Sequence, residues 1–148
     1  ASESKPVDLS QASNSQDCTL VDLPFDHNGS QLDYDAASNT YLYSEYGMKH
    51  TDPANGNKQL AFTNILIQNA THTQYDSNGN MQFNILEQSN RKGYYITGGK
   101  AIPVTWSKGH DMDPTRFYDM DGNLITLNTG KTYIALVSDS RWSELVLK

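Results

Sequence analysis

The chain has 148 residues, of which 36% are hydrophobic and 19% charged, with a formal net charge of −6. That length suits one domain with a core of its own. The acidic balance, with no local cluster of Lys or Arg against it, excludes sequence-tolerant nucleic-acid binding and attachment to anionic lipid through a basic face.

Residues 1–16 are polar and rich in Ser, Asp and Gln, and read as a flexible N-terminal tail. Residues 17–148 read as a single β domain. No apolar run has the length of a signal peptide or a membrane-spanning helix. The single cysteine, Cys18, excludes an internal disulfide and a cysteine-based metal site. Beside Thr19, Leu20 and Val21 it suits a small, half-buried strand position with no base to activate it.

From Cys18 onward the pattern is strand after strand. Residues 18–25 place Val21, Leu23 and Phe25 on one face. Leu32 and Tyr34, a turn at 35–39, then Tyr41 and Tyr43 predict a hairpin. Residues 47–58 read as a polar loop. Residues 59–68 carry apolar side chains on both faces, which predicts a central strand covered on both sides. A hairpin over 71–85 turns at Asn78-Gly79, where positive φ is cheap. Strands at 93–97 and 101–106 flank Gly98-Gly99, and strands at 115–119 and 124–127 flank Asp121-Gly122. Residues 132–137 follow Thr129-Gly130, and 142–147 add an end segment. No window sustains a period of 3.6, leaving room for one short helix near 138–145. The fold class is therefore all-β: an antiparallel β sandwich or partly open barrel with at most one short helix.

Four blocks carry a family likeness: Tyr34-Asp35 with Tyr41, Gly47 and His50-Thr51-Asp52; Gln59-Leu60 with Asn64-Ile65-Leu66-Ile67-Gln68; Gly93-Tyr94-Tyr95 with Gly99-Lys100 and Thr105-Trp106-Ser107-Lys108; and Pro114-Thr115-Arg116-Phe117-Tyr118-Asp119 with Asp121-Gly122 and Gly130-Lys131-Thr132. In this order and spacing the stretch from Tyr34 to Val137 resembles the C-terminal domain of YerB-like lipoproteins of Gram-positive bacteria, a domain of unknown function. Two departures stand out. The relatives carry a basic residue where Tyr43 stands, and a Gly-rich lead-in where this chain has Ser89-Asn90-Arg91-Lys92. The resemblance implies an extracytoplasmic location, at the cell surface or anchored to the membrane through a tether absent from this chain. It also implies a partner in the N-terminal domain of the parent lipoprotein. It implies no activity.

Chemistry-bearing residues were weighed against plainer roles. His50 and Asp52, one residue apart, point the same way on an extended chain, as a base and its orienter would; in a loop such a pair also caps a turn. His110, Asp111, Asp113, Asp119 and Asp121 suggest a calcium site, but the spacing fails the EF-hand template. Trp106 and Lys108 share a strand face with Ile102 and Val104, a platform for a sugar ring or an ordinary core Trp with a snorkelling Lys. Lys108, Arg116 and Asp119 suggest an ion-pair network near one sheet end, although a regular strand sets Arg116 and Asp119 on opposite faces. No nucleophile elbow, Ser-x-x-Lys or phosphate-binding glycine loop occurs.

Tyr43, His50, Asp52, Trp106, Lys108 and Arg116 are the candidate binding residues, and no catalytic residue, metal or cofactor is assigned. The expected function is a non-catalytic binding or structural domain whose partner is a protein or glycan of the cell envelope. The competing expectation is a metal-dependent or acid/base hydrolase of cell-wall polymers working through His50 and Asp52.

Overall fold

Alternation with a period of two sends successive side chains to opposite faces of a sheet. The structure, a computed structural model, describes residues 8–24, 30–45, 48–49, 51–52, 58–70, 72–74, 81–83, 88–109 and 114–148, and over these the alternation is realised as short strands. The first eight are β1 (Gln16–Asp17), β2 (Leu20–Asp22), β3 (Ser30–Asp35), β4 (Thr40–Glu45), β5 (Met48–Lys49), β6 (Thr51–Asp52), β7 (Lys58–Gln59) and β8 (Ala61–Phe62). The second eight are β9 (Asn64–Ala70), β10 (His72–Gln74), β11 (Met81–Phe83), β12 (Gln88–Thr97), β13 (Lys100–Lys108), β14 (Arg116–Tyr118), β15 (Thr132–Ser138) and β16 (Val146–Leu147).

Two six-stranded sheets form a sandwich. The first runs β1-β13-β12-β9-β15 with β14 beside β13, and the second runs β16-β2-β3-β4-β5 with β8 beside β4. Neither path closes on itself, so the sandwich alternative holds over the barrel. The β3–β4 hairpin turns through Asn39 at φ +56°, and the β12–β13 hairpin through Gly98 and Gly99 at +61° and +80°. Two successive positive φ values match the right-handed strand twist, and only glycine takes both without strain.

The run over 59–68 does more than one strand's work. Its first part, β8, pairs with β4 in the second sheet, and after Thr63 the chain becomes β9, the centre of the first sheet. All seven residues of β9 are buried, as a strand covered on both faces requires. β9 pairs antiparallel with β12 but parallel with β15, from Thr132↔Asn64 to Ser138↔Ala70. The first sheet is therefore mixed rather than purely antiparallel. A tight reversal returns a strand antiparallel, whereas the long excursion through β10–β14 allows β15 to return in the direction of β9.

Other departures are local. The expected loop at 47–58 contains β5, β6 and β7. The Asp121-Gly122 reversal has one bridge, Tyr118↔Leu124, in place of a second strand. The expected turn at 76–79 lies outside the described residues, while its flanks pair from His72↔Phe83 to Gln74↔Met81. The short helix expected near 138–145 is a 3-10 helix, Asp139–Glu144. Part of the segment read as a tail is folded: a second 3-10 turn, Leu9–Gln11, is capped by the Asp8 carboxylate and buries Leu9.

The first sheet has two apolar faces. One packs on the second sheet, joining Ile65, Ile67, Ile96, Ala135 and Val137 to Val21, Leu32 and Tyr41. The outer face carries Leu66, Tyr95, Ile102, Val104 and Trp106, covered by Leu9 and Phe117. The two sheets are also tied by a hydroxyl. Tyr41 Oη donates to the Cys18 carbonyl at 2.8 Å and accepts from Gly99 N–H at 3.0 Å, while Cys18 N–H donates to the Gly99 carbonyl at 2.8 Å. Burial pushes the Tyr41 phenol well above its ordinary range, and pushes the Cys18 thiol from 9.0 to about 12.

Tyr41→Phe strands the buried Gly99 N–H and is expected to cost about 1–3 kcal/mol in urea denaturation; an unchanged midpoint refutes the tie. The thiol gives a pH prediction. The unfolded chain loses this proton first, so stability is full below pH 9.0 and falls as pH rises toward about 12. Cys18→Ala is expected to flatten the first part of that fall, read by denaturation at several pH values across the window.

Candidate functional site

Among the described residues, Trp106, Tyr43 and Arg116 do not share one surface. Trp106 is fully buried on β13 and its indole N–H donates to the Asn69 carbonyl at 2.9 Å. Tyr43 is buried too, its hydroxyl 2.9 Å from Ser30 Oγ and its ring 5.4 Å from that of Tyr133. These two rings belong to different cores, on opposite faces of the first sheet. Of the two readings of Trp106 the ordinary core residue holds: alternation along β13 turns the indole inward with Ile102 and Val104, leaving no ring face to the solvent. Lys108 lies near the end of the same strand, half-buried, and Arg116 is exposed on β14, opposite Ser107. Asp52 sits in β6, paired with Lys58 of β7, outside both main sheets. His50 and His110 lie outside the described residues. Asp119 is engaged in its own turn, accepting from the N–H groups of Asp121 and Asn123 at 2.9 Å each. Among the described residues no three His, Cys, Asp or Glu side chains gather as a metal would require.

The outer face of the first sheet offers a different site. Between β14, β15 and the segment that joins them lies a cleft of about 510 Å³, lined by Leu66, Phe117, Leu124, Ile125, Leu127 and Ile134 together with Thr115 and Arg116. Leu124 is 62% exposed, Ile134 56% and Leu127 41%, and Met120 on the same segment is 58% exposed. Burying such a side chain fully is worth about 1.5–3 kcal/mol, so leaving four of them in water is costly. An apolar cluster of this kind on a folded domain marks an interaction surface.

The wall of the cleft is held by a buried amide. Asn64, at the start of β9, mimics a backbone partner for Asn128: its Nδ2 donates to the Asn128 carbonyl at 2.8 Å and its Oδ1 accepts from Asn128 N–H at 3.2 Å. The same Oδ1 accepts from the Tyr95 hydroxyl at 3.1 Å, and Nδ2 also reaches Thr132 Oγ1 at 3.3 Å. Asn128 Nδ2 donates to Thr97 Oγ1 at 3.0 Å, which donates in turn to the Thr63 carbonyl at 2.9 Å. Burial pushes the Tyr95 phenol up, keeping it a neutral donor. The segment after β14 is thus pinned to β9 and β12 at once, while Asn64 also holds β15 through Thr132. Gly130, at φ +139°, closes the same corner, where any Cβ would overlap the Thr63 hydroxyl. Sequence reading missed this site. Its signals were an amide heading an apolar strand, Asn64 before Ile65, and the aliphatic spacing of Leu124, Ile125 and Leu127.

Residues 21–134 match the family model described as the C-terminal domain of a protein of unknown function, DUF3048. The chain belongs to this DUF3048 C-terminal domain family. The crystal structure of the YerB protein from Bacillus subtilis is similar in fold, with a TM-score of 0.71 at 23% identity over 87% of this chain. This DUF3048 C-terminal domain spans only 43% of that YerB chain. Among curated proteins none matches it.

Asn64→Ala in this DUF3048 C-terminal domain leaves the Asn128 backbone groups and the Tyr95 hydroxyl without their partner. It is expected to cost at least about 2 kcal/mol and to speed amide exchange and proteolytic nicking within 119–131. Wild-type protection of that segment in the variant would show that Asn64 does not hold the cleft wall.

Proposed function

We propose that this is a non-catalytic domain of an extracytoplasmic cell-envelope lipoprotein, and that it works by binding protein. The observation that carries this reading is the apolar cleft between β14 and β15. Its lining is mainly aliphatic, and the exposed Leu124, Leu127 and Ile134 form its rim. A surface of that composition gains free energy by excluding water against another apolar surface. A glycan subsite would need an exposed ring to stack on and several polar groups to orient hydroxyls. The aromatic member of the lining, Phe117, is buried, and only Thr115 and Arg116 are polar. What supports the envelope location is the resemblance of the sequence blocks to YerB-like lipoproteins.

Two measurements test it. Purified chain incubated with cell-wall polymer is expected to release no more soluble fragments than a blank. Release that disappears in His50→Ala or Asp52→Asn would replace this reading with a hydrolase. Protease added to intact cells is expected to degrade the protein while a cytoplasmic marker survives; equal survival of both would overturn the location.

A further inference from the structure

From the outer face of the first sheet we infer that the cleft between β14 and β15 is the seat of the N-terminal domain that precedes this one in the longer parent protein. The inference rests on the reading of this chain as the C-terminal part of a lipoprotein, and it names the partner of the surface already described.

Three observations converge. The domain accounts for 43% of the YerB chain it resembles, and the family model it matches is a C-terminal domain, so more than half of that relative lies outside this fold. Next, the chain runs onto the outer face from its N-terminal side. Asp8 caps the 3-10 turn, and Leu9, 6% exposed, is buried in one cluster with Leu66, Tyr95 and Phe117. Residues Leu66 and Phe117 of that cluster also line the cleft. A domain attached upstream therefore joins this one on the side of the outer face. Last, the four large hydrophobic side chains that stand exposed among the described residues, Met120, Leu124, Leu127 and Ile134, all lie in the β14–β15 region of the chain. A contact within one chain docks on a modest apolar surface, and a cleft pinned by Asn64 loses little freedom on being covered. A second copy of the chain has no covalent link to assist it and carries the same net charge of −6.

The test compares this 148-residue chain with the full-length protein by hydrogen exchange. The mass of the endogenous protein is measured first; a protein with no upstream domain overturns the lipoprotein reading itself. With the upstream domain present, amides over 119–128 and 132–138 are expected to exchange at least tenfold more slowly in the full-length protein than in the isolated chain. Leu124→Asp and Ile134→Asp, at exposed positions, are expected to abolish that difference while leaving the melting of the isolated domain unchanged. Equal exchange in the two proteins overturns the docking and leaves the lipoprotein reading intact. Protection in the isolated chain that grows with its concentration would assign the cleft to a second copy, and equally overturns it.

Discussion

The rest of the structure depends on β9 being enclosed. A strand with seven consecutive buried residues needs cover on both faces and a neighbour on both edges. β12 and β15 supply the edges, one antiparallel and one parallel. The second sheet supplies one face by way of Ile65 and Ile67. On the opposite face, with Leu66 at its centre, the cover among the described residues comes from Leu9, Phe117 and Ile125, and the cleft lies beside them. The candidate surface thus lies against the outward face of the central strand.

Much of this was legible in the chain. The hairpins at 35–39 and 98–99 follow from backbone positions that demand positive φ, a local requirement that local residues reveal. The two-sided burial of β9 follows from apolar residues at consecutive positions. What could not be read was non-local. Nothing about residues 59–68 taken alone shows that the chain changes sheets at Thr63, because β8 and β9 carry the same alternation and differ only in their partners. The parallel return of β15 has no local signal either, since strand direction is set by the path through β10–β14. The site was missed for a related reason. Trp106 drew attention as a large amphipathic ring, yet in β13 that ring faces the core and its one polar group is satisfied by Asn69. Asn64 heads an apolar strand, and its role comes only with Asn128 placed beside it.

Likeness in fold does not transfer a role. At 23% identity the YerB structure shares this architecture, and the family to which the chain belongs is itself one of unknown function. Function has to be argued from surfaces. Its buried titratable groups, Cys18, Tyr41 and Tyr95, are shifted by burial toward their neutral forms and are spent on internal hydrogen bonds. Among the described residues, the surface feature that stands out is the aliphatic cleft between β14 and β15.

The parallel pairing of β9 with β15 also governs how the chain reaches this shape. Segments next to each other in space are here remote in sequence, Asn64 beside Thr132 and Val21 beside Leu147. Closing such wide loops loses entropy before any contact compensates, so folds of this type assemble slowly. During synthesis the hairpin β3–β4 emerges whole, whereas the middle strand waits for β15, far downstream, before its second edge is occupied. Until then a bare, oily ribbon is open to any other chain it meets. Newly made copies of this protein are therefore natural clients of whatever machinery shields nascent polypeptides.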